Sequence, residues 1–239
     1  MKKLVYIAAV VLLTFGMVSC NKDDDNGGSN NSNTPSNPTN PTTGDWVDLG
    51  LPSGLLWAKC NLGATTPEGY GNYYAWGETS TKETYNWSTY CYATVDADGN
   101  LRTLTKYNTS SEYGTVDHKT TLEAADDAAT AALGTGTRIP TKAEWQELLD
   151  NTTAEWTTVN NVYGLKFTAT NGNSVFLPAA GIRNNSSLNN VGMFGYYWSS
   201  SLYADDSDAA WEWVFYSDYQ GLGCLGRDNG FSVRAVRQN

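Results

Sequence analysis

From Trp46 to Arg237 the chain is cut by glycines and Asn-Gly pairs into short segments, and most of these alternate apolar and polar residues. Alternation with a period of two marks strands that bury one face. Two stretches carry helical spacing instead. Leu122 to Leu133 is alanine-rich and stops at Gly134, which suits the left-handed residue that closes a helix. Further on, Thr141 and Glu144 form a T-x-x-E capping box, and Trp145, Leu148 and Leu149 fall at i, i+3 and i+4 to make one apolar face. The expected class is α+β with sheet predominating.

Particular strands follow from the same pattern. Leu165 to Thr170 and Ser174 to Leu177 flank Asn171-Gly172, a pair suited to the positive φ of a tight hairpin turn. In Trp211-Glu212-Trp213-Val214-Phe215-Tyr216, three rings alternate with Glu212, Val214 and Tyr216. The rings predict a buried face and the other residues an open one. A final strand is expected over Phe231 to Val236. Nine Trp and fifteen Tyr are many for this length, and every Trp lies at or after position 46, so most of them must form core.

The first 45 residues are of another kind. Lys2 and Lys3 precede the apolar run Leu4 to Phe15, which is too short to span a bilayer at about 20 residues, and small Ser19 stands before Cys20. Met17-Val18-Ser19-Cys20 resembles a bacterial lipobox. It implies a signal peptide over 1–19 and a lipid-anchored Cys20, so that the membrane is one partner. The tether over 20–45 is rich in Asn, Ser, Thr and Gly and, past Cys20, has no apolar residue. A coil of that length has an end-to-end distance of roughly 27 Å. Asn21-Lys22-Asp23-Asp24-Asp25 resembles the acidic export signal of some outer-membrane lipoproteins, which places the expected location at the outer membrane and its outer face. Residues 46–239 form the single expected folded domain.

Charge and chemistry narrow the function. Removing Lys2 and Lys3 with the signal takes the formal charge from -10 to -12, which argues against nucleic acid and favours neutral or basic partners. Cys60, Cys91 and Cys224 remain after lipidation, an odd number that leaves a free thiol or an intermolecular bond. His118 is the sole histidine and sits in a polar loop, so neither a His-rich metal site nor a triad has its parts. Asp126-Asp127 points to structural pairing, with Arg138 as a candidate partner. Asp205-Asp206-Ser207-Asp208 lacks the spaced ligands and final Glu of a calcium loop. Gly221-Leu222-Gly223-Cys224-Leu225-Gly226 fits G-x-G-x-x-G but leads into no helix. No catalytic residue, metal or cofactor is expected.

Five segments together resemble the FISUMP (Fibrobacter succinogenes major paralogous) domain family. They are Val47 to Ala58, Tyr73-Tyr74-Ala75-Trp76-Gly77-Glu78, Arg138-Ile139-Pro140-Thr141, Phe176-Leu177-Pro178-Ala179-Ala180-Gly181, and Tyr197-Trp198-Ser199-Ser200-Ser201 with Gly230-Phe231-Ser232-Val233-Arg234. The resemblance covers Trp46 to Arg237 and implies a C-type-lectin-like fold, two helices beside twisted antiparallel sheets with neighbouring termini. Formylglycine-generating enzymes share that broad fold, but their paired C-terminal cysteines are matched here by Cys224 alone. The calcium motifs of true C-type lectins do not occur.

The stretch between Trp198 and Phe231 also resembles the variable region of target proteins diversified by retroelements. That likeness implies a ligand surface of Tyr203, Asp205, Asp206, Asp208, Glu212, Tyr216, Asp218, Tyr219, Gln220, Leu222 and Leu225, over a buried framework of Trp211, Trp213 and Phe215. The expected function is a displayed, non-catalytic module binding an extracellular protein, glycan or phage component. The competing expectation is a structural envelope part with a permanent partner.

Overall fold

The computed structural model describes residues 45–97 and 102–239, which belong to one compact unit. The signal, the lipobox with Cys20, and the tether as far as residue 44 lie outside the described residues. In chain order the first elements are β1 (Trp46–Asp48), β2 (Leu55–Ala58), β3 (Tyr73–Tyr74), β4 (Ala93–Val95), β5 (Arg102–Leu104), α1 (Ala128–Leu133), β6 (Thr137–Arg138) and α2 (Lys142–Asp150). Next come β7 (Thr152–Val159), β8 (Val162–Ala169), β9 (Ser174–Pro178), β10 (Ile182–Asn184), β11 (Ser187–Asn189), β12 (Gly195–Leu202), β13 (Ala209–Tyr216), β14 (Tyr219–Gly226), β15 (Phe231–Ser232) and β16 (Val236–Gln238). The molecule is mostly sheet with two α-helices, a mixed class of the α+β kind.

A five-stranded sheet in the order β14-β13-β12-β15-β3 carries the C-terminal half, with only β12 and β15 parallel. A four-stranded sheet, β1-β2-β16-β6, brings the first and last strands to either side of β2. β7, β8 and β9 form an antiparallel meander, and β8 and β9 turn at Asn171-Gly172 as the sequence predicts. Helix α2 begins with the expected box: Thr141 Oγ1 accepts from Glu144 N at 3.3 Å, and Glu144 Oε2 accepts from Thr141 N at 2.8 Å. Its apolar face carries Trp145 into a core with Trp57, Phe167, Tyr197 and Trp213. Trp145 lies parallel to Trp213 at 6.0 Å and edge-on to Trp57 at 4.9 Å.

Three sequence expectations change. The first helix is shorter than Leu122 to Leu133, because Asp127 ends a 3-10 turn over Ala124–Asp126 and caps α1 by accepting from Thr130 N. Asp127 also accepts from Ile139 N, and Asp126 pairs with Lys106. Arg138 therefore belongs to neither aspartate and instead grips Glu144 through two bonds of 2.6 and 2.7 Å. Finally, Phe231 to Val236 is not one strand. The chain leaves the five-stranded sheet after Ser232, passes Arg234 inward, and joins the four-stranded sheet at Val236. Arg234 is fully buried and donates to the carbonyls of Ala58, Lys59 and Phe176, which fixes that crossover.

Candidate functional site

The aromatic strand β13 buries a different set of residues from the one its alternation suggests. Trp213 and Phe215 are buried as expected, but Trp211 is only half-buried, with Tyr203 edge-on at 5.1 Å and the Lys142 ammonium 3.3 Å from its ring centre. Glu212, expected on an open face, is 4% exposed. Its neighbours across the sheet are Trp198 on β12 and Gly223 on β14, and its Oε2 has no hydrogen-bond partner. Burial alone pushes this carboxyl up to about 8.

The surface proposed from sequence also separates into two ends of the sheet. Tyr203, Asp205, Asp206 and Asp208 belong to the turn between β12 and β13, whereas Tyr216, Asp218, Tyr219 and Gln220 surround the turn between β13 and β14. An eight-residue strand holds those turns about 24 Å apart. The first turn is built inward: Asp208 is buried, accepts from Arg102 Nε at 2.8 Å, and donates its own N–H to Asp206 Oδ1 at 3.0 Å. Arg102 in turn lies 4.4 Å over the Trp87 ring. Leu222 faces Trp213 across the pair and packs on the core, so it is framework; Leu225 is exposed.

Around the second turn the structure assembles a groove of about 460 Å³, lined by Trp156, Tyr163, Met193, Phe194 and Tyr216 with Gly192 and Ser217. An adjoining recess of about 230 Å³ extends it over Ala154, Leu165 and the stretch Tyr216 to Gln220. Asn160 and Asn161 both take positive φ, 50° and 65°, and so close the β7–β8 hairpin tightly. That hairpin sets Tyr163 parallel to Trp156 at 5.8 Å. Trp156 meets Phe215 edge-on at 6.3 Å, and Phe194 bridges Tyr196 and Tyr216 at 5.9 and 5.0 Å. Tyr216 and Tyr219 lie nearly parallel at 5.4 Å. Tyr163 is 51% and Met193 61% exposed, values at which large apolar side chains mark a contact surface when they cluster.

Sequence reasoning reached Tyr216, Asp218, Tyr219 and Gln220 but missed Trp156, Tyr163, Met193 and Phe194. The Asn160-Asn161 turn between Trp156 and Tyr163 was a usable signal for one wall.

Other reactive groups lie apart from the groove. Cys60, Cys91 and Cys224 are all free. Burial raises each thiol, and Cys91 reaches about 12 with Glu78 beside it, so none is held as a thiolate. His118 sits in its loop at φ 54°. Among the described residues no group of three or more His, Cys, Asp or Glu is placed to hold a metal ion. Gly221 to Gly226 lies along β14 and leads to no helix. Family models, curated proteins and solved structures were each compared with the chain, and no match was found.

Proposed function

We propose that the chain is a lipid-anchored, non-catalytic binding module of C-type-lectin-like fold that takes a glycan in the groove between Trp156, Tyr163, Phe194 and Tyr216. The carrying observation is the exposed Tyr163 ring lying parallel to the half-buried Trp156 ring. The C–H faces of a sugar ring pack on such rings, and the electron-rich ring faces attract those hydrogens. Two helices, sheet predominance and terminal strands flanking one common neighbour support the lectin-like reading of the fold. The raised thiols favour binding over thiol chemistry.

A glycan array probed with the protein tests this reading. Specific glycans should be retained, and Trp156→Ala and Tyr163→Ala should each weaken them at least tenfold. Retention unchanged in both variants, or no glycan retained, overturns the groove assignment. Anchoring is tested separately, because Cys20→Ser should abolish labelling by radioactive palmitate and release the protein from membranes. Protease shaving of intact cells then reports whether the domain faces outward.

The exposed Leu188, Val191 and Met193 favour a second reading, a structural envelope part with a permanent protein partner. Crosslinking on intact cells should then capture one partner in stoichiometric amount through these residues.

A further inference from the structure

The outer edge of β14 carries none of the devices that keep a sheet edge from pairing. Tyr219 to Gly226 contains no charged residue and no proline, and its register with β13 runs unbroken from Ala209↔Gly226 to Tyr216↔Tyr219. Lysines, prolines and bulges are the usual protections of an edge. β14 ends its sheet, and alternate residues of an antiparallel strand turn their N–H and C=O groups away from the neighbour. Among the described residues, the one further backbone bond on this strand is the Gly226 carbonyl accepting from Asn229 N at 3.2 Å.

The same strand opens a path to Glu212. Gly223 stands opposite it, and a Cβ at Gly223 would lie 2.9 Å from Glu212 Oε1, so the carboxyl leans over the bare glycine. At the next position on that face, Gly221, the Tyr219 hydroxyl stands 2.8 Å from where a Cβ would lie, so the path runs over Gly223 alone. A strand added beyond β14 would lie two spacings from β13, about 9.6 Å, within the combined reach of an extended Lys or Arg and a Glu. Cross-strand neighbours share a face, so a side chain opposite Gly223 points the right way.

We propose that the free edge of β14 takes up an extended basic segment of a partner polypeptide as an added strand, with one Lys or Arg passing over Gly223 to pair with Glu212. Main-chain bonds supply the adhesion and the carboxyl sets the preference for a cation. A second copy of this chain satisfies half of that design. Tyr219 to Gly226 has no cation, so pairing β14 with itself leaves both Glu212 carboxyls unpartnered, and a formal charge of -10 on each chain opposes the approach. The edge adjoins the aromatic groove at Tyr219 but makes no use of its rings, so either site can fail without the other.

The purified full chain is titrated at pH 9, where Glu212 is ionised and lysine is still charged, with the labelled peptide acetyl-Thr-Val-Thr-Lys-Thr-Val-Thr-amide and with versions carrying norleucine or Glu in place of Lys, read by fluorescence polarisation and by amide hydrogen exchange. The Lys peptide should slow exchange within 219–226 and bind at least tenfold tighter than the norleucine peptide, with the Glu peptide weakest. Glu212→Gln should erase the preference for Lys while leaving the norleucine peptide unchanged. Gly223→Val, which closes the path without removing the carboxyl, should have the same effect and serves if the first variant does not fold. Absence of protection at 219–226, or a Lys preference that survives both substitutions, overturns the proposal. Protection of 219–226 without peptide, together with a dimer in sedimentation, also overturns it and gives the edge to a second copy.

Discussion

Arg234 Nη2 donates to Asn61 Oδ1 at 2.8 Å, and Nε reaches the same oxygen at 3.2 Å, so one neutral amide anchors a guanidinium that is fully buried. With the carbonyls of Ala58, Lys59 and Phe176 completing its partners, the charge is held by dipoles. Because the buried donors are otherwise orphaned, Arg234→Lys, which cannot reproduce the planar fork, should cost about 2–4 kcal/mol. Asn61→Ala should cost about 1–3 kcal/mol, since it strands a buried cation's donors. Urea unfolding measures both, and a change under half a kcal/mol in either would show that the crossover does not depend on the clamp.

Glu212 makes stability depend on pH in a defined direction. Its folded-state value of about 8 lies above the usual carboxyl value of 4.5, so the folded chain holds a proton that the unfolded chain releases. Stability from this group is full below pH 4.5 and falls as pH rises toward 8, by about 3–5 kcal/mol in all. Glu212→Gln should therefore be more stable than the parent at pH 8.5 and nearly equal to it at pH 4.5. Asp228, pushed up to about 6 by burial, adds a smaller loss in the same direction between pH 4 and 6. Thermal unfolding of parent and variant across pH 4–9 gives the comparison, and a constant difference would remove Glu212 as its source.

Gly195 is required for its lack of a side chain. A Cβ there would fall 2.1 Å from the Phe215 ring, which is itself the support of Trp156. Gly195→Ala must push Phe215 aside at a cost of about 1–3 kcal/mol. The groove should suffer too, because the displaced ring tilts Trp156: glycan affinity should fall even though the substituted residue lines neither recess. An unchanged melting temperature would mean the ring moves freely.

The hairpin turn at Asn160-Asn161 should be equally sensitive. Both residues take positive φ, so Asn161→Val forces a β-branched side chain into a strained conformation and should cost about 1–2 kcal/mol. Asn161→Gly should be tolerated within half a kcal/mol. Equal effects of the two changes on the melting temperature would assign the cost to lost side-chain contacts.

Local chemistry was readable where neighbours in sequence decide it. Thr141 and Glu144 announced the start of α2, and Asn171-Gly172 the β8–β9 turn, because each needs only residues a few positions apart. The strand at 211–216 was readable as a strand, yet not in the sense of its faces: Glu212 is buried by Trp198 and by the carboxyl's own lean over Gly223, which are tertiary facts. Likewise the groove joins the β7–β8 hairpin, with Trp156 and Tyr163, to Phe194 and Tyr216 from two other turns, and no spacing along the chain relates that hairpin to those turns. The turn at Asp205 to Asp208 attracted notice through its carboxylates, but Arg102, far away in sequence, turns Asp208 inward.

The parallel placement of β1 and β16 on either side of β2 sets the distance between the ends of the domain. Trp46 lies across from Ala58 and Gln238 across from Leu55, so the ends are offset by three residues along the sheet and by two strand spacings across it. That is a gap of about 14 Å, which a short glycine-rich connector spans. The chain can therefore be closed into a ring and reopened between Asn160 and Asn161, giving a permutant in which Trp156 and Tyr163 sit beside the new ends.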